Sequence, residues 1–207
     1  LNIPGIERLS GAGVYYGAAD TEAASCKDED VYVIGGANSA GQAAVHFSGT
    51  ARSVTMLVRG DSLARSMSFY LVERIKTIPN IKVETCSELI AVHGEDRLTG
   101  ITIRRVDTKT NEDRPAGALF VFIGAEPQTD WLQGVLCRDE KGFLLTGRNL
   151  MIDGKRPLGW HLDRDPFLLE TNVPGVFAVG DVRTGAVRRV ANGVGEGSIV
   201  VHFIHQY

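Results

Sequence analysis

The stretch "VYVIGGANSAGQAA", Val31 to Ala44, decides how the rest of the chain is read. Val31–Ile34 is a short all-apolar run ending in Gly35, the pattern of a buried parallel strand. From Ser39 to Ser48, Ala40, Ala43, Ala44 and Phe47 recur at helical spacing, so a helix with a small-residue face follows. Strand, glycine turn and helix in that order open a βαβ unit of the dinucleotide-binding kind. In such a unit the first glycine makes the tight turn and the second lets the backbone approach a pyrophosphate. The third position, Gly or Ala, lets helix and strand pack closely. Those positions here are Gly35, Ala37 and Ala40, so the second carries a methyl group. Gly36 stands between them, and Asn38 and Ser39 bring side chains able to donate hydrogen bonds. The turn reads as a phosphate loop at a helix N-terminus. The plainer alternative is a glycine turn in which Asn38 or Ser39 caps the helix.

Val54–Val58 is a second strand, and what stands at its end selects the nucleotide. An Asp or Glu about 20 residues past the glycines holds the ribose 2′-OH of NAD, whereas an Arg nearby accommodates the 2′-phosphate of NADP. Arg59 occupies that place, and Arg65 follows within reach. A guanidinium binds phosphate through paired hydrogen bonds. Asp61 comes too late to be the strand-end acid and is expected to orient Arg59. The pattern favours NADPH over NADH; a solvated surface arginine is the alternative.

A second helix is expected with Met67, Leu71, Ile75 and Ile78 on one face, ending before Pro79. Beyond it "IKVET", "ELIAV", "GITIRRV" and "ALFVFI" read as strands of an antiparallel meander, with "HGEDRLT" and "TKTNEDRPAG" as turns. "GAEPQT" breaks the chain after Ile123. A turn-rich segment begins near Asp130 and closes with a strand, "VFAVGD", and a helix from about Arg188. The fold class is α/β: a Rossmann-like domain with a parallel sheet, joined to an antiparallel meander and a further segment.

The 207 residues suffice for one or two domains, and 43% hydrophobic with 23% charged residues suits a globular protein. A net charge of −3 gives no nucleic-acid footprint. No apolar run approaches the roughly 18–20 residues of a membrane span, and no secretory signal is visible. Cys26, Cys86 and Cys137 are far apart and form no CxxC. That argues against a disulfide scaffold or a metal site and for a reducing, cytoplasmic setting. No metal is expected.

Two further motifs carry a resemblance. "ALFVFIGAEPQT" ends in Ile123-Gly124 with Pro127 and Thr129, and "ETNVPGVFAVGDVR" contains Thr171, Pro174, Gly175, Gly180 and Asp181. With the glycine loop, they resemble the pyridine nucleotide–disulfide oxidoreductase superfamily, and within it the low-molecular-weight thioredoxin reductases. The resemblance covers essentially the whole chain. It implies an interdomain linker at 1–12, an NADPH-binding domain at 13–126, and at 127–207 the C-terminal half of a split FAD-binding domain. It implies that the first half of the FAD site is absent from this chain, which alone is then expected to hold no flavin and to be inactive. Cofactor contacts implied by the resemblance are Gly124, Gly180 and Asp181, then Arg189, Val190 and Ala191 in the segment that meets the flavin ring. Gln42 falls where the family often has Glu near the nicotinamide. Three glycines, 193, 195 and 197, in a helix cost about 1 kcal/mol each, and close packing on cofactor or sheet would account for them.

One departure bears on activity. Thioredoxin reductases carry a Cys-x-x-Cys pair shortly after the linker, and here Gly17-Ala18-Ala19-Asp20 stands in that place. Thiol–disulfide exchange needs an attacking thiolate and a resolving partner. Cys26 lies nearby and reads as an inert small residue. The expected function is therefore hydride transfer from NADPH to FAD, with electrons passing to an acceptor other than a dithiol: ferredoxin, a quinone or a small oxidant. No side chain is assigned a catalytic role, since the flavin carries the chemistry. Two alternatives stay open: a nucleotide-sensing module without turnover, and a thioredoxin reductase using thiols outside this chain. A homodimer is one assembly open to it.

Overall fold

The computed structural model describes residues 1–17 and 26–207. The chain divides into two compact units, Leu1–Gly124 and Ala125–Tyr207.

The first unit is built on a five-stranded, wholly parallel sheet. Its strands are β1 (Val14–Tyr16), β2 (Asp30–Ile34), β3 (Ser53–Leu57), β4 (Ile81–Glu84) and β8 (Ala118–Val121), in spatial order β1-β8-β2-β3-β4. Helix α1 (Asn38–Phe47) connects β2 to β3, and helix α2 (Phe69–Thr77) precedes β4. A separate antiparallel sheet contains β5 (Ser87–His93), β6 (Gly100–Arg105) and β7 (Asn111–Pro115).

Alternation along the strand explains why Val31–Ile34 of β2 is apolar on both faces. Val31 and Val33 turn to one face, where Ala40, Ala43, Ala44 and Phe47 of α1 and Leu71 and Ile75 of α2 close a core. The Phe47 and Phe120 rings stack there with centroids 4.0 Å apart. Tyr32 and Ile34 turn to the other face and pack with Leu89, Val92, Ile101 and Ile103 of the antiparallel sheet. A parallel strand buried on both faces has no polar side to show. The small face of α1 works as close packing requires. A Cβ built at Gly41 would lie 2.7 Å from side-chain atoms of both Leu71 and Met67.

Several strand assignments need correction. "IKVET" and "ALFVFI" were expected in the meander, but β4 and β8 join the parallel sheet. Neither the alternating β4 (IKVE) nor the apolar β8 (ALFV) encodes the direction of its partners. The segment "TKTNEDRPAG", expected as a turn, contains β7. That edge strand is almost entirely exposed, so it shows no apolar alternation; backbone pairing with β6 holds it. "VFAVGD" forms no strand: Phe177 makes only an isolated bridge to Glu170, and Gly180–Val182 is a 3-10 turn. Residues 1–12 form turns packed on the first unit, with Ile6 and Leu9 buried in its second core.

The second unit is mostly turns, with 3-10 segments at Asp130–Leu132 and Gly147–Leu150, and one long helix, α3 (Val190–Gln206). Phe143, Leu144, Leu150, Leu169 and Ala178 are its buried apolar side chains. Buried carboxylates do much of the ordering. Glu170, fully buried, accepts two hydrogen bonds from Arg164 at 2.6 and 3.0 Å and one each from the Phe167 and Gly175 N–H groups at 2.9 Å. Trp131 is exposed, with its indole N–H on the Gln128 carbonyl. Among the described residues no helix is long and apolar enough to cross a membrane.

Candidate functional site

The order β1-β8-β2-β3-β4 places a switch point between β2 and β8. From β2 the chain moves through α1 to β3 on one side, while β8 lies on the other. Ligands of open α/β sheets bind in the crevice at the carboxyl ends of strands at such a point. A cleft of about 740 Å³ lies there. Gly35, Gly36 and Ala37 after β2 line it, with Arg59, Gly60, Arg65 and Ser66 after β3, and Ile123 and Gly124 after β8.

Gly35 has φ +136°, a region that L side chains rarely adopt, and a Cβ there would lie 2.5 Å from the Phe122 carbonyl oxygen. Gly36 is close too: its Cβ would stand 2.9 Å from a methyl of Val58. Ala37 is extended (φ −96°, ψ 177°) and is itself the N-cap of α1. No side chain caps this helix, and its first turn has no acidic residue. The capping alternative at Asn38 or Ser39 is therefore not what the chain does. The Asn38 Oδ1 instead accepts the Ser68 N–H at 2.8 Å, at the N-cap of α2. Ser39 and Gln42 are exposed on α1 outside the cleft lining, and Ala40 is buried, its Cβ 3.2 Å from the position a Gly35 Cβ would take.

Arg59 is exposed at the cleft, with no ion pair or hydrogen bond among the described residues. The expectation that Asp61 orients Arg59 is corrected: Asp61 pairs with Arg65 at 2.9 Å. The chain bends and turns irregularly from Arg59 to Met67, so sequence spacing does not fix which arginine this carboxylate meets. Two features escaped the sequence reading. The Ser66 hydroxyl donates to the Gly36 carbonyl at 2.8 Å. On the antiparallel sheet's side, Arg104 pairs with Glu88 at 2.7 Å, and both line the cleft.

In the second unit Gly180 has φ +73° and begins the 3-10 turn that carries exposed Asp181. Its N–H donates to Glu196 Oε2 at 2.7 Å, and Glu196 also pairs with Arg183. The Arg183 guanidinium holds the Glu196 carboxyl below its ordinary range, against a smaller opposing effect of burial. Arg189 is the N-cap of α3, and Val190 and Ala191 are its exposed first residues. At Gly193, Gly195 and Gly197 a Cβ would meet nothing within 4 Å, so no packing inside the unit accounts for them. Ala18, Ala19 and Asp20, in the place of the dithiol, lie outside the described residues. Cys26 is buried in the first core.

The sequence profile of the pyridine nucleotide-disulphide oxidoreductase family matches residues 1–197. The chain belongs to this family. A thioredoxin reductase of Streptomyces clavuligerus is 34% identical over 199 residues, 95% of this chain and 55% of that protein. An alkyl hydroperoxide reductase chain of Staphylococcus epidermidis is 30% identical over 198 residues, 96% of this chain and 35% of that protein. The crystal structure of Lactococcus lactis thioredoxin reductase superposes with a TM-score of 0.79 at 25% identity, covering 100% of this chain and 61% of that one. The chain thus spans about a third to three fifths of the length of these relatives. It is a thioredoxin reductase-like member of the family, with the parallel sheet and separate antiparallel sheet of those structures. Membership implies flavin and nicotinamide cofactors and oxidoreductase chemistry.

Proposed function

We propose that the first unit binds NADPH and that the whole protein is an NADPH- and FAD-dependent oxidoreductase. The Arg59 guanidinium, without an ion pair or hydrogen bond among the described residues and beside a glycine turn on the same cleft, carries this reading. The chain's residues fit a phosphorylated dinucleotide. Gly35 and Gly36 leave no room for side chains and present backbone to the cleft. The uncapped start of α1 offers N–H groups and the positive end of the helix dipole to a pyrophosphate. Arg59, set at the end of β3, offers a fork of donors to a 2′-phosphate. Gly124, across the cleft, bounds the site after β8.

In the second unit, Gly180, Asp181 and the start of α3 at Arg189, Val190 and Ala191 are proposed to face the flavin. The cofactors, when bound, supply hydride transfer from nicotinamide to flavin. The acceptor is proposed to be other than a dithiol, because Cys26, Cys86 and Cys137 form no pair at Cys-x-x-Cys spacing. Ferredoxin, a quinone or a small oxidant fits that chemistry. The proposed arrangement is the NADPH domain at 13–126 and the flavin-facing part at 127–207.

Calorimetric titration of the chain with NADPH and NADH tests the reading. Arg59→Ala is expected to weaken NADPH about tenfold or more, the range of a charge-assisted hydrogen bond, and to leave NADH within about twofold. Equal losses for both nucleotides would overturn it.

A further inference from the structure

The proposed NADPH site has two recognition elements from separate parts of the chain. The glycine turn would take the pyrophosphate, and Arg59 the 2′-phosphate. A single ligand joins these groups at a fixed separation, so both elements serve only if the protein holds them at matching positions. The structure shows what sets that separation. The Gly35 N–H bonds the Leu57 carbonyl at 3.1 Å, but this precedes Arg59. After buried Val58 the chain leaves the sheet, exposes Arg59, Gly60 and Asp61, and returns at buried Leu63 and Met67. The Gly60 carbonyl accepts the Cys86 N–H at 2.9 Å, which ties the loop to the far side and not to the glycine turn.

Beside the packing of Leu63 and Met67 in the first core, two side chains add hydrogen-bonded ties. The Ser66 hydroxyl reaches the Gly36 carbonyl, and the Asn38 Oδ1 receives the Ser68 N–H, each at 2.8 Å and each spanning 30 residues of sequence. Ser66, Asn38 and Ser68 are all exposed, so these bonds add little to the core. The first joins the two loops at the lip of the cleft, and the second joins the start of α1 to the N-cap of α2 just beyond it. Resting on the NADPH reading, we infer that Ser66 and Asn38 are positioning residues that set the preference for NADPH over NADH, by fixing the Arg59 loop against the glycine turn. Asn38 then acts through its carbonyl oxygen on the loop, and not as a phosphate ligand. NADH lacks the 2′-phosphate and does not use Arg59. Loosening the tie therefore costs NADPH binding and spares NADH.

The test is calorimetric titration of the full chain with each nucleotide. Wild type is compared with Ser66→Ala, Ser66→Thr, Asn38→Ala, Arg59→Ala and the Ser66→Ala/Arg59→Ala double variant. Ser66→Ala and Asn38→Ala should each lower the NADPH preference by about two- to tenfold, the reach of one hydrogen bond. The loss should lie in NADPH alone, and Ser66→Thr, which keeps the hydroxyl, should restore the preference. In the Arg59→Ala background Ser66→Ala should change nothing further, because the tie acts through Arg59. The inference is overturned by an unchanged preference in both single variants, by equal losses for NADPH and NADH, or by a Ser66 effect that persists without Arg59. A wild-type chain with no preference, unmoved by Arg59→Ala, overturns the NADPH reading itself.

Discussion

Gly35 at the end of β2 stands directly against Phe122 at the end of β8: a Cβ on Gly35 would lie 2.5 Å from the Phe122 carbonyl oxygen. The two central strands of the switch point thus meet where the cleft opens, and the φ of +136° at Gly35 excludes ordinary side chains as well. Gly35→Ala combines backbone strain with overpacking against a carbonyl that cannot retreat. It should cost about 2–4 kcal/mol in urea unfolding. Gly124→Ala is the control. Gly124 also has positive φ (+100°) but open space around its Cα, so only strain remains, about 1 kcal/mol. Equal costs at the two positions would mean that the Phe122 contact does not matter.

The methyl at position 37 asks less of the site than the consensus suggests. Ala37 is extended, exposed and the N-cap of α1, a conformation open to any residue. Tight approach is concentrated at Gly35 and Gly36, where added Cβ atoms would clash. Ala37→Gly is therefore expected to leave NADPH affinity within about tenfold, or 1.4 kcal/mol. A titration showing a much larger gain would mark the loop as degenerate.

Glu84 ties the parallel sheet to the antiparallel one. It accepts one hydrogen bond from Arg114 of β7 at 2.8 Å, pairs with Lys82 at 2.7 Å, and lies 3.7 Å from Arg105 of β6. Burial pushes its carboxyl up, but the Arg114 and Lys82 partners outweigh it, and the net shift is downward from 4.5. A depressed carboxylate contributes stability that is present above its unfolded-state value and is lost as pH falls through the folded one. Urea-derived stability should hold near neutrality and fall as pH drops below about 4.5. Glu84→Gln should cost about 2–4 kcal/mol near neutral pH. That is below the cost for an isolated buried pair, since Arg114 keeps Glu112 at 2.7 Å. The variant should also flatten the acid limb; a limb as steep as in wild type would place the titration elsewhere.

What was legible in the sequence follows the range of each physical signal. β2, the glycine turn and α1 were legible because strand, turn and helix are local, and Ala40, Ala43, Ala44 and Phe47 do form one buried face. The place of Arg59 was legible because strand length fixes where a side chain emerges onto the cleft. The partners of β4 and β8 were not, since neither the alternation of β4 nor the apolar run of β8 says which sheet a strand joins. Exposed β7 left no apolar trace. The ties from Ser66 to Gly36 and from Asn38 to Ser68 join residues 30 apart on different elements, and no local periodicity announces them. Asp61 was assigned to the wrong arginine because spacing on an irregular loop is a weaker guide than on a helix.

That corrected pair sets the last expectation. Asp61 holds Arg65 at 2.9 Å while Arg59 is unpartnered among the described residues, so the two arginines at the cleft are not equally available to an anion. Both members of the pair are well exposed, so breaking it should barely alter stability. Asp61→Asn removes the competing carboxylate and leaves Arg65 free to turn toward a 2′-phosphate. NADPH affinity should rise by about two- to fivefold at low ionic strength, and the gain should fade as salt screens exposed charges over a Debye length of about 10 Å at 0.1 M. Titrations with Asp61→Asn alone and combined with Arg65→Ala separate two causes. A gain that vanishes without Arg65 places that side chain on the phosphate. A gain that survives its removal belongs to the general field of the cleft, and Arg59 then stands as the proposed 2′-phosphate contact without Arg65.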